Sequence, residues 1–144
     1  MANVIPDSFK TDLLKGTFNF DSSGGSTFKL ALYTDISGLT TSTTAFTTSN
    51  EVGTSGTSYS SGGNTLTNNG VAIASNIAFV DFADLTFSSV TLSAVGALIY
   101  KSGGSNEAVL VLDFGGTKTA TNGDFVVQFP TASSSAAIIR LGNA

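Results

Sequence analysis

Residues 95–114 decide the fold. They read Val95-Gly96-Ala97-Leu98-Ile99-Tyr100-Lys101-Ser102-Gly103-Gly104-Ser105-Asn106-Glu107-Ala108-Val109-Leu110-Val111-Leu112-Asp113-Phe114. Two apolar runs flank five small, polar, Gly-rich residues, which is the pattern of two strands joined by a turn. Residues 95–100 are apolar on both faces. A strand of that kind needs cover on both sides, so a central position in a sheet is expected.

Working outward, period two dominates. Residues 27–33 alternate, with Phe28, Leu30 and Leu32 pointing one way and Lys29 and Tyr33 the other. Residues 117–120 and 124–129 flank Asn122-Gly123, the strongest short hairpin signal, because both residues tolerate positive φ. Pro130 ends that strand, and residues 136–141 close the chain with Arg140 outward. Further strands are expected at 17–20, 70–75, 77–82, 85–88 and 90–101, giving about eight or nine in all. No helical pattern separates them. The expected fold is therefore all-β, an antiparallel β-sandwich or jelly roll, as one domain over residues 1–144.

A helical arm over residues 1–16 precedes the strands. Pro6 suits the first helical turn and Gly16 a left-handed stop. Phe9, Leu13 and Leu14 share one face, with Lys10, Asp12 and Lys15 outward. So short a helix is marginal alone, so Phe9 and Leu13 must dock, on the edge of the β core or on a neighbouring subunit. Residues 35–63 form a long Ser/Thr/Gly-rich loop with isolated Leu39, Phe46, Val52 and Tyr59. Loops of that length are uncommon in compact domains and often functional. Phe46 and Tyr59 are expected to pin it to the body, and residues 47–52 have room for one helical turn.

Composition narrows the chemistry. Histidine and cysteine are both absent, which removes Ser-His and Cys-His nucleophiles, disulfides and most zinc sites. No phosphate-cradling motif occurs. Carboxylate pairs for glycoside hydrolysis remain in Asp81 with Asp84 and Glu51 with Glu107. Asp81 and Asp84 also suggest half of a calcium site, but with Asp113 they read better as caps on turns. The sequence thus predicts a protein that is not an enzyme, with no cofactor and no metal. A net charge of −4 with six basic residues leaves no footprint for nucleic acid and no polybasic membrane anchor. The first seven residues lack the basic and apolar regions of a secretory signal. Charged residues make up only 11% of the chain, against roughly 25% in an average domain. Such a hydroxyl-rich surface suits a protein that lives packed against others, although long polar loops on a β protein produce it too.

Several of these segments, taken in order, carry a family resemblance. They are Ile5-Pro6-Asp7-Ser8-Phe9-Lys10 through Leu13-Leu14, Phe28-Lys29-Leu30-Ala31-Leu32-Tyr33-Thr34, Asn50-Glu51-Val52, Gly63-Asn64-Thr65-Leu66 and Val80-Asp81-Phe82-Ala83-Asp84. Gly96-Ala97-Leu98-Ile99-Tyr100, Val111-Leu112-Asp113-Phe114-Gly115 and Val127-Gln128-Phe129-Pro130 complete the set. Together they resemble small virion proteins of tailed bacteriophages, over nearly the whole chain, in order and pattern and not through one diagnostic motif. The resemblance implies a viral structural protein, with a capsid decoration or cement role on the outer surface of the phage head favoured. A tail adaptor or fibre-base component and a carbohydrate-binding attachment module are the alternatives. It also implies synthesis in the host cytoplasm, the major capsid protein or other virion proteins as partners, and a homo-oligomer with a trimer favoured. It carries over no catalytic residues. On the position of helix and loop alone, Phe9, Leu13, Phe46 and Tyr59 are the expected partner-binding anchors.

Overall fold

The computed structural model describes residues 3–143, so Met1, Ala2 and Ala144 of the expected domain lie outside it. One helix, α1 (Asp7–Leu14), precedes seven strands: β1 (Phe28–Tyr33), β2 (Asn64–Thr65), β3 (Asn68–Ala74), β4 (Ile77–Phe82), β5 (Leu85–Lys101), β6 (Ala108–Val127) and β7 (Ile139–Leu141). They form two antiparallel sheets, ordered β2-β1-β5-β6 and β3-β4-β7. The fold is an all-β sandwich with a short N-terminal helix, as the sequence pattern predicts.

The expected hairpin is the spine of the larger sheet. β5 and β6 pair from Leu85↔Val127 at one end to Tyr100↔Ala108 at the other. Residues 85–88 and 90–101 belong to one strand, kinked at Ser89, whose φ is 54°. Asn122-Gly123 does not turn the chain. It lies inside β6, where Asn122 at φ 45° marks a bulge opposite the Ser89 kink, with register shifts on either side of Val90↔Gly123. Positive φ permits a turn without requiring one, and here it bends a long ladder. The tight two-residue turn falls at Ser75-Asn76, both at positive φ, between β3 and β4. Extra residues around Gly115 and Gly116 loop out of β6 between its Asp113 and Lys118 pairings.

Burial explains the two-sided apolar pattern of residues 95–100. Ala97 and Ile99 face the main core, with Phe28, Leu30, Val80 and Phe82. Leu98 and Tyr100 face the opposite way, into a second cluster with Tyr33, Ile36, Leu39 and Val111. The long loop over residues 35–63 covers that second face. It takes the place of a third layer, held by the bridges Tyr33↔Glu51 and Ala45↔Glu107. In place of the helical turn expected at 47–52 there is a β-turn, with the Glu51 N–H on the Thr48 carbonyl at 3.2 Å and Asn50 at φ 63°, outside helical geometry.

The arm follows its sequence signals with two exceptions. Pro6 caps α1, and Gly16, at φ 79°, stops it. Leu14, expected on the docking face, is 86% exposed, because Phe9 and Leu13 alone set the contact and Leu14 lies about 100° further round the helix. The strand expected at 17–20 is absent. That stretch is irregular, yet Phe18 and Phe20 are buried, and Lys101 Nζ on the Thr17 carbonyl (2.8 Å) ties it to β5.

Gly96 is a close contact between β5, its neighbour β6 and the long loop. A Cβ there would collide with the Leu112 carbonyl oxygen and lie 2.7 Å from Ile36 Cγ2. We expect Gly96→Ala to destabilise the fold by about 3 kcal/mol through overpacking. A urea midpoint unchanged from the parent would contradict this packing.

Candidate interaction surfaces

Four anchors are expected from the sequence, and the fold separates them. Phe9 is 2% exposed. Its ring lies 5.0 Å from Phe18 and 6.1 Å from Phe20, and Phe20 stacks on Phe28 at 4.6 Å. Tyr59 is 3% exposed and packs 5.8 Å from Phe87. Neither side chain offers a surface to a partner. An aromatic on an amphipathic helix or in a loop reads the same whether its contact is internal or external, and here the contacts are internal. Phe46 is half-buried, stacked on Tyr100 at 4.6 Å. Leu13 is half-buried and lines a groove described below.

Tyr59 and Phe46 both hold the long loop, as expected from the sequence. The Tyr59 hydroxyl donates to Glu51 Oε1 (2.8 Å) and accepts from the Leu32 N–H (3.0 Å). Glu51 also accepts from Ser61 Oγ (2.8 Å) and the Gly62 N–H (2.6 Å). Tyr33 donates to the Thr47 carbonyl (2.6 Å), and Tyr100 to the Gly62 carbonyl (2.7 Å). Burial, with the Glu51 carboxylate nearby, pushes all three hydroxyls above the ordinary tyrosine value. Glu51 thus organises a loop, and its expected companion Glu107 has its Oε2 buried without a hydrogen-bond partner.

Of the three acids expected to cap turns only Asp113 does so. Asp84 ties the β4–β5 junction to the segment after β6, and Asp81 lies inside β4 and bonds across strands, because its neighbours continue the ladder. Asp84 Oδ1 accepts the Phe129 N–H (2.8 Å) and Asp113 Oδ1 the Gly115 N–H (2.8 Å), the latter a turn cap that holds its carboxyl below the ordinary value. Asp81 receives the Asn69 side-chain amide across β3 and β4 (2.6 Å). Among the described residues no three potential ligands gather around a metal position, and no helix is long and apolar enough to cross a membrane.

Two concave features remain. The first is an apolar groove of about 140 Å³ between Leu13 and Phe20 on one side and Val71, Val80, Ile139 and Leu141 on the other. Val71 (54%) and Leu141 (61%) line it and are largely exposed, and Ile73 (74%) lies two residues further along β3. They arise because the smaller sheet overhangs the body. Val71 pairs with Val80 and Val80 with Ile139, and in the next row Ile73 pairs with Ala78 and Ala78 with Leu141. Val80 and Ile139 therefore reach the core, while Val71 at the sheet edge and the row of Ile73 and Leu141 project past it. Exposed apolar patches of this kind mark interaction sites. The sequence signal was present in Val71-Ala72-Ile73-Ala74, which holds no charge, but exposure was not readable from it. The second feature is a hollow of about 360 Å³ beside β6, lined by Phe114, Lys118, Asp124, Phe125 and Gln128 among others.

Comparison with known proteins identifies no relative: no family model, no curated protein and no solved structure matches the chain.

All three tyrosines of the chain carry raised values. The unfolded chain releases these protons near pH 10 while the folded chain keeps them, so their contribution to stability is complete below that pH and declines above it. In a spectrophotometric titration we expect no tyrosine to ionise near pH 10, and phenolate absorbance to appear together with loss of the fold. A tyrosine titrating with its ordinary value in the folded protein would contradict the hydroxyl network.

Proposed function

We propose that this chain is a non-catalytic structural protein of a tailed-phage particle, which decorates the outer surface of the head and braces neighbouring capsid subunits. The observation that carries the reading is the apolar overhang on a surface of otherwise low charge. Val71 and Leu141 are largely exposed at a groove that Leu13 helps to line, and Leu14 is exposed on α1; large apolar side chains are where interface energy concentrates. The resemblance in segment order to virion proteins supplies the setting. A rigid two-sheet body with its long loop strapped down suits a brace, because each copy gains from touching several fixed subunits at once.

Antibody-gold labelling of purified virions tests the location. Label over the head is expected, and label confined to the tail would replace this reading with an adaptor or fibre-base role. The surface is tested by Leu14→Ser combined with Leu141→Ser. Both residues are largely exposed, so the fold should persist while affinity for undecorated heads falls more than tenfold, about 1.4 kcal/mol. Unchanged co-sedimentation with heads would exclude this face.

The hollow beside β6 favours a second reading, a carbohydrate-binding attachment module. Half-buried Phe114 offers an apolar face, and Lys118, Asp124 and Gln128 offer hydrogen-bonding groups around it. On that reading a glycan array gives hits that Phe114→Ala removes, and an array without hits discards it.

A further inference from the structure

β3 is the outer strand of the smaller sheet, and it lacks the usual protections of an edge. Natural edges carry charges, proline or a covering segment. Asn68–Ala74 holds no charged residue and no proline, and its Val71 and Ile73 are 54% and 74% exposed. Only its start is sheltered, by a register shift between Asn68 and Gly70 and by Ser22, which lies against Gly70.

The free backbone groups follow from the turn. Ser75 and Asn76 form a two-residue hairpin turn, so Ala74 and Ile77 flank it. Flanking residues of such a turn exchange both hydrogen bonds, and bonded and non-bonded pairs then alternate along the ladder. Ala74 and Ala72 therefore bond to β4, while Val71 and Ile73 direct their N–H and C=O groups outward. Among the described residues, neither has a backbone hydrogen bond outside the β3–β4 ladder.

The sequence here is nearly palindromic. Around Ala72, Val71 mirrors Ile73, Gly70 mirrors Ala74, Asn69 mirrors Ser75 and Asn68 mirrors Asn76. A second copy laid antiparallel with a two-fold axis at Ala72 sets each residue opposite one alike in size and polarity. The same register sets Val71 against Ile73 of the partner subunit as a hydrogen-bonded pair, on both sides of the axis. These are the residues whose backbone groups point outward. No charges meet along the seam, although each chain carries −4.

We propose that two copies of this chain pair along β3, antiparallel about Ala72, to make one continuous six-stranded sheet. The contact is isologous and closes on itself, so it makes a two-fold pair in place of the trimer that the family resemblance implies. It rests on the strand edge alone and holds whether or not the chain decorates a phage head.

The chain has no cysteine, so a single introduced thiol reports the axis. Ala72→Cys sits where two non-hydrogen-bonded Cα atoms lie about 4.5 Å apart, within disulfide reach. Ala74→Cys places the two thiols roughly 13 Å apart along the strands. Under mild oxidation the first is expected to give a disulfide-linked dimer and the second to stay monomeric on a non-reducing gel. By sedimentation velocity at micromolar concentration, the unaltered protein is expected at twice its 14.6 kDa chain mass. Ile73→Lys should dissociate it with the circular dichroism spectrum retained. Adding Val71→Glu, which sets opposite charges across the axis, should restore the dimer. A monomeric or trimeric unaltered protein, equal cross-linking at positions 72 and 74, or an Ile73→Lys variant that stays dimeric would each overturn the proposal.

Discussion

A file of phenylalanine rings joins the three parts of this molecule. Phe9 comes from the helix, Phe18 and Phe20 from the irregular segment after it, Phe28 from the larger sheet, Phe82 from the smaller sheet, and Phe129 from the segment after β6. Neighbouring centroids lie between 4.6 and 6.4 Å apart. Each ring buries a large apolar area, and such pairs add about 0.5–1.5 kcal/mol beyond that burial. Phenylalanine suits this place better than tyrosine or tryptophan because it has no polar atom to satisfy between two sheets. Without the file, α1 would be too short to persist and the smaller sheet would meet the larger through fewer large side chains.

The opposite face of the larger sheet is solved by different chemistry. No third sheet covers it. A loop rich in Ser, Thr and Gly does, and a loop contributes little apolar area. Its attachment therefore depends on a few buried residues, Ile36 and Leu39, and on tyrosine hydroxyls that reach its backbone. Each hydroxyl spans apolar packing at one end and a carbonyl or carboxylate at the other. Glu51 accepts from the Tyr59 hydroxyl, the Ser61 hydroxyl and the Gly62 N–H, and the end of the loop closes around it.

How much of this was legible in the sequence depends on how local the signal is. β1 and the β5–β6 hairpin were readable because alternation, a Gly-rich turn and a two-sided apolar run are properties of neighbouring residues. The ends of α1 were readable for the same reason, from Pro6 and Gly16. Asn122-Gly123 misled because a residue pair that permits a turn also permits a bulge, and the choice was made by Ser89, over thirty residues away. Leu14 misled because a helix touching the body through two side chains leaves little room for a third. Phe9 and Tyr59 were recognisable as residues that must bury themselves. What buries them, Phe18 and Phe20 in one case and Phe87 and Glu51 in the other, belongs to the tertiary fold. The overhang of the smaller sheet has no local signature at all.

Chain order carries one more consequence. Val4 bridges to Val111, β1 pairs with β5, and β4 waits for β7 at the far end of the chain. Hardly any of either sheet can close before residues 96–141 have been made. The β3–β4 hairpin is the exception, being local, and it emerges early with its apolar edge uncovered. Folding is thus delayed until the residues of β6 and β7 are available and is slow, since non-local pairing must overcome loop closure first. In the interval the nascent chain displays that uncovered strand to its neighbours, which makes crowding during high-level synthesis the hazard this topology must survive.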